Sequence, residues 1–218
     1  MNRNILVIAG ASGAGKTTVA ARLLSESEDF GLVRSITTRA PRGDGHDGEY
    51  IYTDRADFMK RAESGELVEY MEYGDNMYGT PVSELKRIFE EAKTPLLILD
   101  IEGVKSLRSR SFDFSSVIVY IWDDLNVIEK RLYARDLAKD PTADKLISFQ
   151  KRKDMNIRDY LSMPEISHLF DSFVRNEGID ECVAKIKEVF DKVNDGKSVS
   201  KEEKASVASL LSEMAKAK

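Results

Sequence analysis

Residues 5–17 read Ile5-Leu6-Val7-Ile8-Ala9-Gly10-Ala11-Ser12-Gly13-Ala14-Gly15-Lys16-Thr17, and this stretch decides the fold. Five consecutive apolar residues without alternation predict a short strand buried on both faces, the form taken by strands in a parallel sheet covered by helices. The next eight residues match G-x-x-x-x-G-K-[ST] in full, and residues 17–27 carry the helical signal this motif requires behind it. In such a loop the glycines let backbone N–H groups turn inward around phosphate oxygens, and the helix N-terminus adds partial positive charge. Lys16 is expected to bridge the β- and γ-phosphates of a nucleoside triphosphate and the Thr17 hydroxyl to ligate Mg²⁺, with Thr18 completing the binding segment. An ordinary glycine turn would explain Gly13 or Gly15 alone, but not the Lys-Thr pair at this spacing after an apolar strand.

Outward from the loop, strand and helix signals alternate, which predicts an α/β fold: a mainly parallel sheet flanked by helices. Strands are predicted at 32–37, 50–53, 67–71, 96–100 and 117–122, with 5–9, 96–100 and 117–122 as the core sheet. Asp54 is placed to cap a helix bearing Phe58 and Met59, and Pro81 to start a helix over 82–92. Asp123 and Asp124 precede a basic helix running to Arg135, and Asp180 one with Cys182, Ile186 and Val189 inward. From Val193 the character changes to a linker-like NDGKSVS and then a helix over 201–215, with Val207, Leu210, Leu211 and Met214 on one face. That stripe either packs on the core or makes a homodimer contact.

With 218 residues the chain suffices for one large α/β domain. A net charge of −5 and the lack of a basic stripe argue against a nucleic-acid partner. No apolar run approaches the roughly 20 residues needed to cross a bilayer, so no membrane partner is expected. A single cysteine forms no internal disulfide, and the chain enters a strand directly without signal-peptide regions, so a cytoplasmic protein is expected.

The acceptor is narrowed by Ser35-Ile36-Thr37-Thr38-Arg39-Ala40-Pro41-Arg42, where two arginines three apart flank a stiffening proline. Two guanidinium forks suit a dianionic monophosphate. Downstream, Glu69-Tyr70 and Tyr78-Gly79-Thr80 supply a carboxylate, a phenol and a hydroxyl.

Through these segments, with GEYIYT, GELVEYMEYGDNMYGTP, LLILDIEGVKS, KRLYARD and VRNEGIDE, the chain resembles guanylate kinases from Gly10 to about Val189. The resemblance implies a core at 1–34 and 81–192, a GMP-binding lobe inserted at 35–80, a helical lid at about 131–155 and an added tail at 193–218. It also implies transfer of the γ-phosphate of Mg-ATP to GMP or dGMP. Arg39, Arg42, Tyr50 and Tyr78 would hold the GMP phosphate, while Ser35, Glu69, Thr80 and Asp100 would face the guanine. The base's own chemistry agrees, since guanine's N1–H and N2–H donors suit a carboxylate and its O6 a hydroxyl. Lys16, Arg39, Arg131, Arg135 and Arg152 would act on the transferring phosphoryl group, and Asn176 would lie near the ATP base. Two other readings are a P-loop kinase for another small phosphate acceptor and a non-catalytic guanylate-kinase-like module. Modules of the latter kind have lost the loop that this chain keeps.

The chain departs from the family pattern at Gly43-Asp44-Gly45, where Gly-Glu is usual, and at Arg135-Asp136-Leu137, where the family has Arg-Gly-Thr. Asp100 and Glu102 compete for one acidic role after the strand, with Asp100 favoured. Cys182 reads as a buried structural thiol and Trp122 as core. His46 and His168 make no metal-ligand spacing.

Overall fold

The computed structural model describes residues 4–41, 48, 50–73, 75–138 and 141–218. In chain order the first elements are β1 (Asn4–Gly10), α1 (Lys16–Glu26), β2 (Phe30–Leu32), β3 (Ser35–Thr37), β4 (Tyr50–Tyr52) and α2 (Arg55–Glu63). Next come β5 (Leu67–Tyr73), β6 (Asn76–Pro81), α3 (Val82–Glu90), β7 (Thr94–Leu99) and α4 (Ile101–Arg108). The last are β8 (Ser115–Trp122), α5 (Leu125–Asp136), α6 (Ala143–Ile166), β9 (Ser172–Arg175), α7 (Ile179–Asn194) and α8 (Lys201–Lys216). A five-stranded sheet has the order β2-β7-β1-β8-β9, and a four-stranded sheet the order β4-β3-β6-β5. The central sheet matches the expected α/β class, with β2 and β7 parallel and β8 and β9 parallel. As the unbroken apolar run requires, Ile5 through Ala9 are fully buried.

By packing, the chain falls into two compact units. One is the chain up to Val7 with Leu23–Ser116, and the other is Ile8–Arg22 with Val117–Lys218. The first holds the four-stranded sheet and a small core of Ile36, Phe58, Leu67 and Met77. Asp54 caps α2 by accepting from the Asp57 amide at 2.8 Å, as its side-chain chemistry predicts. In the second unit α6 begins at Thr142, which accepts from the Lys145 amide.

Four expectations need correction. The strand expected at 32–37 is two strands in different sheets, because at Arg34 the backbone amide leaves the ladder for Glu84 Oε2 at 3.2 Å. The same guanidinium closes a fork on Glu84 at 3.1 and 2.8 Å, fixing the break. Tyr78-Gly79-Thr80, for which no strand was expected, forms the middle of β6, antiparallel to β5, with Thr80 opposite Glu69. The α7 helix starts at Ile179 with Gly178 at its cap, and turns Val183 and Phe190 inward with Cys182 and Ile186, leaving Val189 half-buried. The tail helix buries Leu211 of the expected stripe together with Ala208, Ser212 and Ala215, leaves Val207 and Met214 half-buried, and exposes Leu210.

Candidate functional site

In the second unit the loop between β1 and α1 is held from three sides. Lys16 starts α1 and places its ammonium on the carbonyls of Gly10 and Ala11, at 2.7 and 3.1 Å. Asn176, 5 % exposed after β9, donates Nδ2 to Ala14 O at 2.7 Å. Gly15 must be glycine here: its φ is +98°, and a Cβ would strike that same amide nitrogen. From α6, Asn156 grips Ser12 at both backbone groups, accepting from its N–H at 3.0 Å and donating to its carbonyl at 2.9 Å. Asn156 is 2 % exposed, so this pair is sheltered from water. Thr17 is half-buried and Thr18 exposed at the start of α1.

Around that loop, cations are held by acids of the same unit. Asp123 is buried at the end of β8 and takes Arg131 at 2.9 Å, while Arg131 Nη2 also donates to Asn176 O at 3.2 Å. Arg131 Nη1 is buried with no hydrogen-bond partner among the described residues. Arg175 pairs with Asp124 at 2.6 Å and lies over the Trp122 ring, which is core as expected. Asp124 makes no side-chain cap hydrogen bond to α5. Asp136, the residue at the Arg-Gly-Thr departure, receives both Arg135 and Arg152, at 2.7 and 2.5 Å. Burial pushes its carboxyl up, but the hydrogen bond and charge of Arg135, with the charge of Arg152, outweigh burial and hold it below the usual range.

In the first unit two clusters form. At the first, the Arg39 guanidinium lies 4.8 Å above the Tyr50 ring, and Tyr50 meets Tyr78 edge-on with centroids 6.4 Å apart. Arg39 Nε and Nη2 are buried without a hydrogen-bond partner among the described residues, two donors that an anionic ligand would satisfy. Ser35 opens β3 opposite Tyr50 in register. Arg42, Gly43-Asp44-Gly45 and His46 lie outside the described residues.

The second cluster centres on Glu69, 3 % exposed, whose Oε1 accepts from the Thr80 hydroxyl at 2.7 Å. Its Oε2 approaches α4 at Gly103, where a Cβ would lie 3.3 Å away. Burial pushes the Glu69 carboxyl up to about 7, with the Asp100 charge adding to the rise and Thr80 and Arg110 opposing it. Asp100 caps α4, accepting from the Gly103 amide at 2.9 Å. Glu102 is exposed and pairs with Lys105, so of the two acids Asp100 is the one beside Glu69.

Sequence reasoning missed Asn156 and Arg110, whose roles depend on distant backbone, and the hold of Asp123 on Arg131, and none of these carries a local signal. Cys182 is buried as expected, and burial pushes its thiol up to about 11. His168 is exposed, and no metal-binding group of His, Cys, Asp or Glu occurs among the described residues. No helix among them is long and apolar enough to cross a membrane.

Comparison with known proteins bears on both units. A family model described as guanylate kinase matches residues 2–193. The guanylate kinase of Porphyromonas gingivalis is 32% identical over 186 residues, covering 84% of this chain and 94% of the relative. That of Prochlorococcus marinus subsp. pastoris is 30% identical over 185 residues, covering 84% and 95%. The crystal structure of guanylate kinase from Anaplasma phagocytophilum superposes with a TM-score of 0.59 at 25% identity, covering 86% of this chain and 84% of that one.

Proposed function

The chain belongs to the guanylate kinase family, whose members phosphorylate GMP with ATP, and from that premise we propose which of its residues hold each substrate. ATP is bound by Gly10 through Thr18, with Lys16 leaving the Gly10 and Ala11 carbonyls for the β- and γ-phosphates and Asn176 near the base. GMP is bound by Ser35, Arg39, Arg42, Tyr50, Glu69, Tyr78, Thr80 and Asp100. The buried Glu69–Thr80 pair carries the acceptor assignment, since the carboxylate meets guanine's N1–H and N2–H donors and the hydroxyl beside it, on turning its one proton from Glu69 to the base, meets O6. Adenine, with a lone pair at N1, would face that carboxylate lone pair to lone pair.

The loop and the Thr17 hydroxyl fit an Mg-nucleotide. The ion, when bound, offsets phosphate charge and orients the donor phosphates. GMP's phosphate is itself the nucleophile, with a second pKa near ~6, so no general base is assigned. Arg39, with two buried donors unpaired among the described residues, aligns the attacking oxygen, and Arg131, Arg135 and Arg152 stabilise charge on the moving group. Asp123 holds Arg131, and Asp136 holds Arg135 and Arg152. A cytoplasmic setting, where both substrates are held, completes the proposal.

The test is ADP release measured with GMP, dGMP, AMP, CMP and UMP as acceptors. Guanine nucleotides are expected to be turned over with kcat/KM at least about a hundredfold above the others. Lys16→Ala is expected to abolish nearly all transfer with the fold intact. Comparable turnover of AMP, or full activity of the Lys16 variant, would reject the assignment.

A further inference from the structure

β5 contains an irregularity that decides where Glu69 points. Its register with β6 pairs Glu69 with Thr80, Tyr70 with Gly79 and Met71 with Tyr78, but Leu67 with Pro81, so one extra residue is inserted between Leu67 and Glu69. In a regular strand Leu67 and Glu69 would share a face. Here they do not: Leu67 joins the Phe58 cluster, and Tyr70 meets Phe58 edge-on, while Glu69 turns toward Thr80 and Gly103. Leu67, Val68 and Glu69 are consequently all buried in succession. A one-residue slip would turn the carboxylate to the other face.

A bulge leaves backbone groups outside the ladder, and one side chain collects them. Arg110, just beyond α4, donates Nη1 to Leu67 O at 2.8 Å and to Val68 O at 3.3 Å, with its guanidinium 5.8 Å from the Tyr70 ring centre. We propose that Arg110 is a positioning residue for guanine selection, holding the β5 bulge in the one register that aims Glu69 at the base. The inference rests on Glu69 being the guanine reader. The same guanidinium is also the charge that favours ionised Glu69, against burial and the Asp100 carboxylate, with the Thr80 hydroxyl as the remaining neighbour. Only the ionised carboxylate accepts both guanine donors, so kcat/KM for GMP is expected to fall as the pH drops through about 7.

The test is steady-state kinetics for GMP, AMP and ATP from pH 5.5 to 9 (chosen to span that midpoint) in Arg110→Met, Arg110→Lys and Glu69→Gln. Arg110→Met is expected to lower kcat/KM for GMP about tenfold, mainly through the GMP KM and with the ATP KM unchanged. Its acid limb should move up by about half a pH unit, because a positive neighbour of Glu69 is lost. Arg110→Lys should return the limb to its wild-type position. A purely structural role would instead lower kcat and both affinities and leave the limb in place, which would overturn the proposal. If Arg110→Met does not fold, Arg110→Gln, neutral yet still a donor to the carbonyls, is read for the same displacement. Glu69→Gln separates the premise: unchanged GMP-over-AMP preference there rejects Glu69 as reader. Loss of preference in Glu69→Gln with wild-type behaviour in the neutral Arg110 variants rejects Arg110 alone.

Discussion

At the scale of the residue, Glu69, proposed as the guanine reader, shows how a buried carboxylate can cost stability. Its carboxyl is raised from an unfolded value near 4.5 to about 7, so between those two pH values the folded chain holds a proton that the unfolded chain has released. Stability must therefore fall as pH rises through that window, by about 3 kcal/mol for a shift of this size. Below the window the term is fully present, and above about 7 it is gone. Glu69→Gln cannot lose that proton, so the variant is expected to unfold at a higher temperature than wild type at pH 8 and at a similar one at pH 4. The same variant should have lost most GMP turnover, the trade expected where a site is built for its ligand rather than for the fold. Melting curves at the two pH values check it, and a variant that gains nothing at pH 8 would refute the buried-carboxylate account. Glu66 is exposed and Glu69 buried, a separation that simple alternation does not produce, because Glu66 lies before the strand and the bulge falls between the two. The bulge that gives Glu69 its direction was not legible, because an inserted residue in a strand leaves no mark in the alternation of GELVEY.

At the scale of the element, the segments with strong local signals were the legible ones. β1 and its loop, the Asp54-capped α2, α3 behind Pro81 and β8 all stand where apolar runs and capping residues put them. The elements that were missed owe their form to distant partners. β2 and β3 separate because Arg34 turns to Glu84, fifty residues away, and β6 is a strand because β3 and β5 both pair with it. The α6 helix was not resolved as one element from the sequence, and neither was its Asn156, a mid-helix polar residue that by itself suggests a solvated face. Its burial against Ser12 makes α6 a brace for the phosphate loop. Asn156→Ala removes both hydrogen bonds and leaves the N–H and C=O of half-buried Ser12 without them, at up to about 1 kcal/mol for each. Since Ser12 lies within the loop proposed for ATP, the loss should appear chiefly as a raised ATP KM and a kcat/KM for ATP lowered about tenfold or more, with the GMP KM near wild type. An unchanged ATP KM in a folded Asn156→Ala would show the brace to be idle.

At the scale of the whole molecule, the chain is a family domain followed by a tail. The family match ends at residue 193, and α8 lies wholly beyond it. Within its unit α8 packs against α6, β9 and the turn at 167–169, and Lys204 fixes it by donating to Phe170 O at 2.9 Å. The last residue, Lys218, reaches Asn126 and Glu129 on α5. Of the apolar residues read as one stripe, Leu211 is fully buried while Leu210 is 41% exposed, and the inward face is completed by Ala208, Ser212 and Ala215. Small residues let a helix approach its neighbour closely, which favours this face for docking over the bulkier Leu210. The apolar surface that could have made a homodimer contact is thus spent largely inside the chain. Leu211→Glu places an unpaired charge against α6 and is expected to lower stability by ~3–5 kcal/mol. Leu210→Glu projects into water and should stay within about 0.5 kcal/mol of wild type. Urea unfolding of the two variants, beside their masses by light scattering, separates the arrangements. A destabilised or mass-shifted Leu210→Glu with a tolerant Leu211→Glu would mean that the tail docks by the other face, on a second chain.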